Sequence, residues 1–312
     1  MKTLLGKRVA LVTGKGGVGR SSITAALAHV AARAGKRVLV AEIGDGSTDY
    51  SALARLFGLD QLPRTAAEIA PGIRGTQLLS EAGVELFLSS VLKVTSLVKL
   101  ALGFEPLRRL SLATPSLREL GIFFHLLVYL RARRSDGAPE HDLILLDMPA
   151  TGHTLALTGL PEVLLRLITR GPIADALREG QSYLHDPARA GAYVVTLPET
   201  LPITEALELV EGLARTAIPC AGVIVNRMPG DVFTAEERHA LESWLAQRPV
   251  FGAHAFHRHA EAQLAVARLR ASTPLALVLC PELEGVGAAL VSALSDALAG
   301  QDFQPGGAEA TR

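Results

Sequence analysis

The stretch LVTGKGGVGRSS, residues 11–22, puts four glycines, a lysine, an arginine and two serines within a dozen positions. That composition suits phosphate. Glycines let successive backbone amides turn inward without a Cβ clash. A helix starting near Gly19 would add its positive end. The general phosphate loop reads G-x-x-x-x-G-K-[ST]. Gly14 and Gly19 occupy its glycines, and Ser21 supplies a hydroxyl for Mg²⁺. Arg20 stands where the lysine belongs. A guanidinium keeps the charge and forks onto phosphate, but it is wider than an ammonium. Binding is therefore expected to survive better than turnover.

The same residues fit a second pattern. Gly14, Gly16 and Gly19 also spell G-x-G-x-x-G, the dinucleotide fingerprint, and Glu42 lies near the place of its ribose-binding acid. An NAD-dependent oxidoreductase is thus the rival to an ATP–Mg²⁺ site. The ATP reading needs a distant strand to end in an acid that orients the magnesium shell. Asp147, in LILLDMP, fills that need. The NAD reading leaves Lys15, the segment from Asp147 to Thr154, and Asn226 without a role.

Positioning these residues calls for alternating strands and helices. Buried strands are expected at 8–13, 36–43, 142–149, 192–198, 220–227 and 274–281, where short β-branched runs meet turn residues. Helices are expected from Gly19 to about Ala34, closed by Gly35, and over 199–216, 234–246, 255–270 and 284–299. This predicts an α/β fold with a mainly parallel sheet flanked by helices. Residues 80–134 read as helical with no strand between, an α-helical insertion on a single domain spanning 1–300. The tail 301–312, rich in Gly, Gln and Pro, is expected to be disordered.

Taken together, these motifs resemble the ArsA/GET-pathway ATPases: arsenite-pump ATPases, factors that deliver tail-anchored membrane proteins, and bacterial relatives of unclear role. GKGGVG resembles their deviant phosphate loop, shared with the MinD, ParA and nitrogenase iron-protein class. DMPATGHTLAL resembles the segment D-[TAS]-[AP]-P-T-G-H-T. VTLPETLPITEAL, VIVNRMP and LVLCPELEGVGAAL resemble three further family segments, and the likeness covers most of residues 8–300. It implies ATP and Mg²⁺ as cofactors. By resemblance, Gly14, Gly16, Gly17, Val18, Gly19, Arg20, Ser21 and Ser22 would cradle phosphates. Lys15 would reach across a dimer to the partner's nucleotide. Ser21 and Asp147 would serve the metal. Gly152 and His153 would belong to a switch sensing the γ-phosphate. Asn226 would meet adenine, with Pro281 and Glu282 beside it.

The sequence also departs from that family. Its members place an aspartate after the second strand to position the attacking water. Here the region reads AEIGDGSTDYSALARLFG. Glu42 or Ile43 takes the place, and Asp45 or Asp49 is an alternative. Asp45 is the candidate, although GDGST also reads as a turn before a helix capped at Ser47 or Thr48. A slow ATPase and a hydrolysis-deficient subunit serving a competent paralogue both remain open. Partners implied are a second copy or a paralogous ATPase, and a hydrophobic client or membrane-protein partner.

Composition narrows the field. Basic and acidic residues each number 31, which gives no reason to expect nucleic-acid binding. Two cysteines, Cys220 and Cys280, are read as buried free thiols; without C-x-x-C they supply neither a zinc site nor an arsenite site. His254, His257 and His259 cannot all share a helix face, so no metal centre is expected there. His125 is read as a satisfied core histidine. The longest apolar runs fall short of the roughly 20 residues that span a bilayer. No cleavage-site pattern follows MKTLLGKRVALVTG. A soluble, cytoplasmic chain is the expectation.

Overall fold

The computed structural model describes residues 1–44, 50–92, 115–149, 159–166, 168–245, 250–251 and 253–301. They form one eight-stranded sheet in the order β3-β4-β2-β5-β1-β6-β7-β8. The strands are β1 Val9–Gly14, β2 Val38–Ile43, β3 Ala67–Ala70, β4 Ile73–Leu78, β5 Leu143–Asp147, β6 Ala190–Thr196, β7 Cys220–Met228 and β8 Leu277–Pro281. All pairings are parallel except the β3–β4 hairpin at one edge.

The six strands expected from sequence are all present within a few residues. The β3–β4 pair was not foreseen. Its AEIA-PG-IRGTQL spelling is short, half polar and carries Gly75 mid-strand, so it lacks the aliphatic run of a buried strand. A Cβ at Gly75 would lie 2.7 Å from the end of the Ile69 side chain, which would have to shift to admit it.

Parallel strands bury both faces, and each face has its own core. Along β1, Val9 and Leu11 join Leu39, Ala41, Ile144 and Leu146 on one side. Ala10 and Val12 join Val38, Val40, Leu143 and Leu145 on the other. The first face is covered by α5 (Pro115–Arg131), α6 (Pro172–Leu184), α7 (Thr200–Arg215) and α9 (Ala253–Ser272). The second is covered by α2 (Arg20–Arg33), α3 (Ala52–Leu56) and α10 (Gly287–Ala299). Short α1 (Lys2–Leu5) adds Leu4 to that layer. The chain also forms α4 (Ser80–Leu92) and α8 (Ala235–Leu245). Helix α6 was also unforeseen, although Pro172 at its first turn is a fair start signal.

The chain leaves β1 toward β2 on one side and leaves β5 toward β6 on the other. Strand order thus reverses around β1, a topology that leaves a crevice at the carboxyl end in such sheets. In open α/β sheets that crevice is where ligands bind. The glycine-rich stretch begins there.

Within the stretch read as an insertion, α4 and α5 are described; residues 93–114 between them lie outside the described residues, as does the tail 302–312. The two helices cross at glycines. A Cβ on Gly83 would lie 1.7 Å from the Gly121 carbonyl oxygen, and one on Gly121 would lie 2.3 Å from that of Ser80. His125, buried on α5, accepts a hydrogen bond from the Leu79 amide at 3.1 Å. That satisfies it as a core histidine.

Gly121→Ala should therefore destabilise the fold. Alanine gains roughly 1 kcal/mol of helix propensity. The collision with backbone should outweigh it, leaving a net loss of about 1–3 kcal/mol. Chemical denaturation of the variant checks this; an unchanged or raised midpoint would refute the close crossing.

Candidate nucleotide site

The loop between β1 and α2 turns because its glycines permit it. Gly14, Gly17 and Gly19 have φ of 155°, 83° and 92°. At Gly14 a Cβ would sit 2.3 Å from the Val195 carbonyl oxygen of β6. At Gly19, which caps α2, a Cβ would sit 2.3 Å from Nδ2 of Asn226. Both positions thus exclude a side chain by conformation and by space. Gly16 and Gly17 have open space on the Cβ side, and both are exposed. Val18 is buried and fixes the loop to the α2-side core.

Ser21, in the first turn of α2, donates from Oγ to Oδ2 of Asp147 at 2.6 Å. Asp147 ends β5 beside β1, in register with Val12. The Asp147 side chain is buried, and its Oδ1 has no hydrogen-bond partner. Burial pushes this carboxyl up from 3.8 to about 6, although the Ser21 hydrogen bond, the Arg20 charge and the Thr24 hydroxyl pull it down. An orphaned, desolvated carboxylate oxygen beside a serine hydroxyl suits a hydrated divalent cation, which would supply the missing charge. The residues present fit Mg²⁺.

Arg20 opens α2 and is half-buried. Its guanidinium donates to the Met148 carbonyl just past β5. Lys15, half-exposed, makes a 3.0 Å ion pair with Glu205 on α7 of its own chain. Ser22 sits half-buried in the first turn of α2. Asn226, buried at the end of β7, donates from Nδ2 to the Val18 carbonyl at 2.9 Å, tying the β7 end to the loop. Pro281 ends β8, and the Glu282 amide donates to the Met228 carbonyl at 2.8 Å. The Glu282 carboxylate takes both ends of the Arg258 guanidinium, at 2.9 and 2.8 Å.

The structure thus gathers Gly14 to Ser22, Asp147 and Asn226 around one strand end. Asp45, Asp49, Gly152 and His153 lie outside the described residues. Helix α3 is capped by Ser51, which accepts from the Ala54 amide at 2.8 Å, rather than by Ser47 or Thr48. Sequence reasoning missed Ser51, Glu205 and the Met148 carbonyl. Ser51 was legible as a serine before an apolar helical run; the other two arise only from the fold. Glu42 sits in register with Asp147, and burial pushes its carboxyl up, helped by the charge of Asp147.

The cysteines lie at opposite ends of neighbouring strands, Cys220 opening β7 and Cys280 near the end of β8. They face different cores, and Cys220 is half-buried rather than buried. Burial pushes the thiols to about 11 and 12. They do not form a pair. Among the described residues no cluster of three or more His, Cys, Asp or Glu could hold a metal ion. His259 instead bonds to the Pro229 carbonyl at 3.1 Å and approaches Asp231 at 3.4 Å. No helix among the described residues is long and apolar enough to cross a membrane.

A strand, a glycine loop, a helix and a neighbouring strand-end acid define a nucleotide-site architecture, and comparison gives the family. Residues 7–172, just over half the chain, match the sequence model of the anion-transporting ATPases of ArsA type. The chain belongs to that ATPase family. ATPase BagA of Mycobacterium tuberculosis is 31% identical over 230 residues, covering 72% of this chain and 66% of that protein. ATPase ARSA1 of Chlamydomonas reinhardtii is 24% identical over 279 residues, covering 72% of this chain and 35% of its own length. The arsenical pump-driving ATPase of Escherichia coli is 29% identical over 147 residues, covering 46% of this chain and 24% of that protein. The matched stretch is thus just under two thirds of the mycobacterial relative's length and much less of the other two.

Asp147 makes stability depend on pH. Its proton is held more tightly in the folded chain than in the unfolded one. It therefore supports folding at low pH, and that support is lost as pH rises from the unfolded value of 3.8 through the folded value of about 6. Asp147→Asn should melt higher than the parent chain near neutral pH, by about 2–3 kcal/mol in the absence of nucleotide and metal. The advantage should vanish below roughly pH 4. Thermal melts across that range check the sign, and a variant weaker at every pH would contradict it.

Proposed function

We propose that this chain binds ATP with Mg²⁺ and works as a dimeric ATPase subunit, either with a second copy or with a paralogue. Its nucleotide state is coupled to a client or partner bound through the helical insertion. The observation that carries this reading is the 2.6 Å bond between Ser21 and Asp147, with the second carboxylate oxygen buried and unpaired at the foot of the glycine loop. Family membership supports it. Glu42, the acid of the rival NAD reading, accepts from Ser51 and the Leu53 amide.

Each residue has a part. The amides of Gly16 to Ser22 and the positive end of α2 bind the phosphates. Ser21 and Asp147 would hold Mg²⁺, which would neutralise phosphate charge. Asn226, Pro281 and Glu282 frame the adenine side. The 150–158 segment, with Gly152 and His153, senses the terminal phosphate. Asp45 is a candidate for the water-directing acid of that scheme.

Lys15 acts across the dimer. Its present partner, Glu205, is a weak competitor, since surface ion pairs are worth at most about 1 kcal/mol. A polyphosphate from the partner's site offers several negative charges and displaces it. Lys15→Ala should leave folding intact and weaken ATP-driven association by at least about tenfold, a loss of roughly 1.4 kcal/mol. Sedimentation with and without ATP–Mg²⁺ measures this, and undiminished association would remove Lys15 from the interface.

Arg20 sets the rate. A guanidinium drawn to the Met148 carbonyl does not put compact charge under the β- and γ-phosphates. Turnover is slow, or falls to the paralogue in a mixed assembly. Arg20→Lys should raise kcat by about tenfold or more with little change in ATP affinity. Steady-state hydrolysis beside equilibrium binding of ATP and NAD is the test. Tight NAD binding without ATP binding would overturn the whole reading. Arsenite pumping, which the name of the Escherichia coli relative describes, finds no thiol pair here.

A further inference from the structure

We propose that the Arg227 guanidinium stacks on the base of the bound nucleotide, and that a bulge at the end of β7 places it there. The proposal rests on the ATPase reading above and adds a binding side chain to its base side.

The bulge follows from register. Between β7 and β8, Val225 pairs with Leu279 and Met228 pairs with Pro281. From 225 to 228 the chain takes three steps while β8 takes two from 279 to 281, so β7 holds an extra residue. Burial says which one. Val223, Val225 and Met228 belong to the core beneath α7 and α9, and Ile224 belongs to the core beneath α2. Asn226 continues the Ile224 row and reaches the Val18 carbonyl of the glycine loop. Arg227 is left over between them, exposed, with φ of 56°.

A left-handed backbone is unfavourable for a residue that carries a Cβ, and glycine would form the same bulge without that strain. Among the described residues the other non-glycine with positive φ is Ala217. It follows the end of α7, where left-handed caps are common. Arg227 instead lies within a strand, at the carboxyl end that carries the candidate site. The fold gives its side chain no evident task. Its charged neighbour Glu282 is already clasped by Arg258, at 2.9 and 2.8 Å. Arg258 holds the Glu282 carboxyl below its usual range, and the Arg227 charge adds to that effect. The guanidinium is thus felt on the β8 side of Asn226, the side away from β1 and its loop. Strain kept beside a site points to work for the side chain outside the fold.

The chemistry of a guanidinium says what that work is. Phosphates held by the loop after β1 leave the nucleoside to extend over the ends of β7 and β8. A guanidinium is a charged plane that stacks on aromatic rings, bases included. Stacking reads the face of a ring and leaves its edge free. Arg227 therefore complements Asn226, a side chain suited to the edge. The contact is with the ring rather than with the polyphosphate.

The test measures equilibrium binding of ATP and of tripolyphosphate, each with Mg²⁺, beside melting temperature, on the full chain. Arg227→Gly removes the guanidinium and relaxes the backbone. It should weaken ATP binding by about tenfold and tripolyphosphate binding by less than about threefold, with no fall in melting temperature. Arg227→Lys keeps the charge and loses the plane. It should weaken ATP binding by about fivefold and leave tripolyphosphate binding at the parental level. Parental ATP affinity in Arg227→Gly overturns the proposal. So does an equal loss of ATP and tripolyphosphate binding that lysine restores, which assigns the side chain to phosphate charge. A joint fall of both affinities and melting temperature assigns Arg227 to the fold and also overturns it. A parent chain that binds neither ATP nor tripolyphosphate instead overturns the reading beneath it.

Discussion

The contact on which the rest depends is the one between the first turn of α2 and the end of β5. Ser21 donates to Asp147, and the acid is buried with one oxygen unpaired. Such a group is costly, since desolvation disfavours its charged form. Ser21, the Arg20 charge and Thr24 offset only part of that cost. The chain keeps it at the carboxyl end of the central strands, where strand order reverses and a crevice must open. The cost is the physical signature of a site prepared for a positive charge.

Around that point the loop is held from several directions. Gly14 lies against the β6 backbone, Gly19 lies against Asn226, and Asn226 bonds the Val18 carbonyl. The end of β7 therefore touches the glycine loop directly. The two cations nearby both point elsewhere, Lys15 to Glu205 and Arg20 to the Met148 carbonyl. Their alternatives are anions of higher charge. On that reading the same residues have one set of partners within the chain and another in the proposed complex.

A second route leads from this region toward the helices. The Gly44 amide bonds the Leu78 carbonyl at 3.1 Å where β2 and β4 end. Leu79 follows, held by His125, and α4 begins at Ser80. The end of β2 thus abuts the base of the α4–α5 pair, whose glycine crossing allows close backbone packing.

Much of this was legible in the residues. The six aliphatic strands, the glycine loop and the strand-end acid are local patterns, written in composition and period. They gave the fold class and, with the resemblance, the family. Their spelling could not reveal partners brought together from distant segments. That Lys15 meets Glu205, that Arg20 turns to Met148, and that Cys220 and Cys280 face different cores follow from how strands are ordered across the sheet. The β3–β4 edge escaped because edge strands carry polar residues that blur the period. That Glu42 stands beside Asp147 was likewise not legible, because the pairing of β2 with β5 is a long-range fact that neither segment encodes alone.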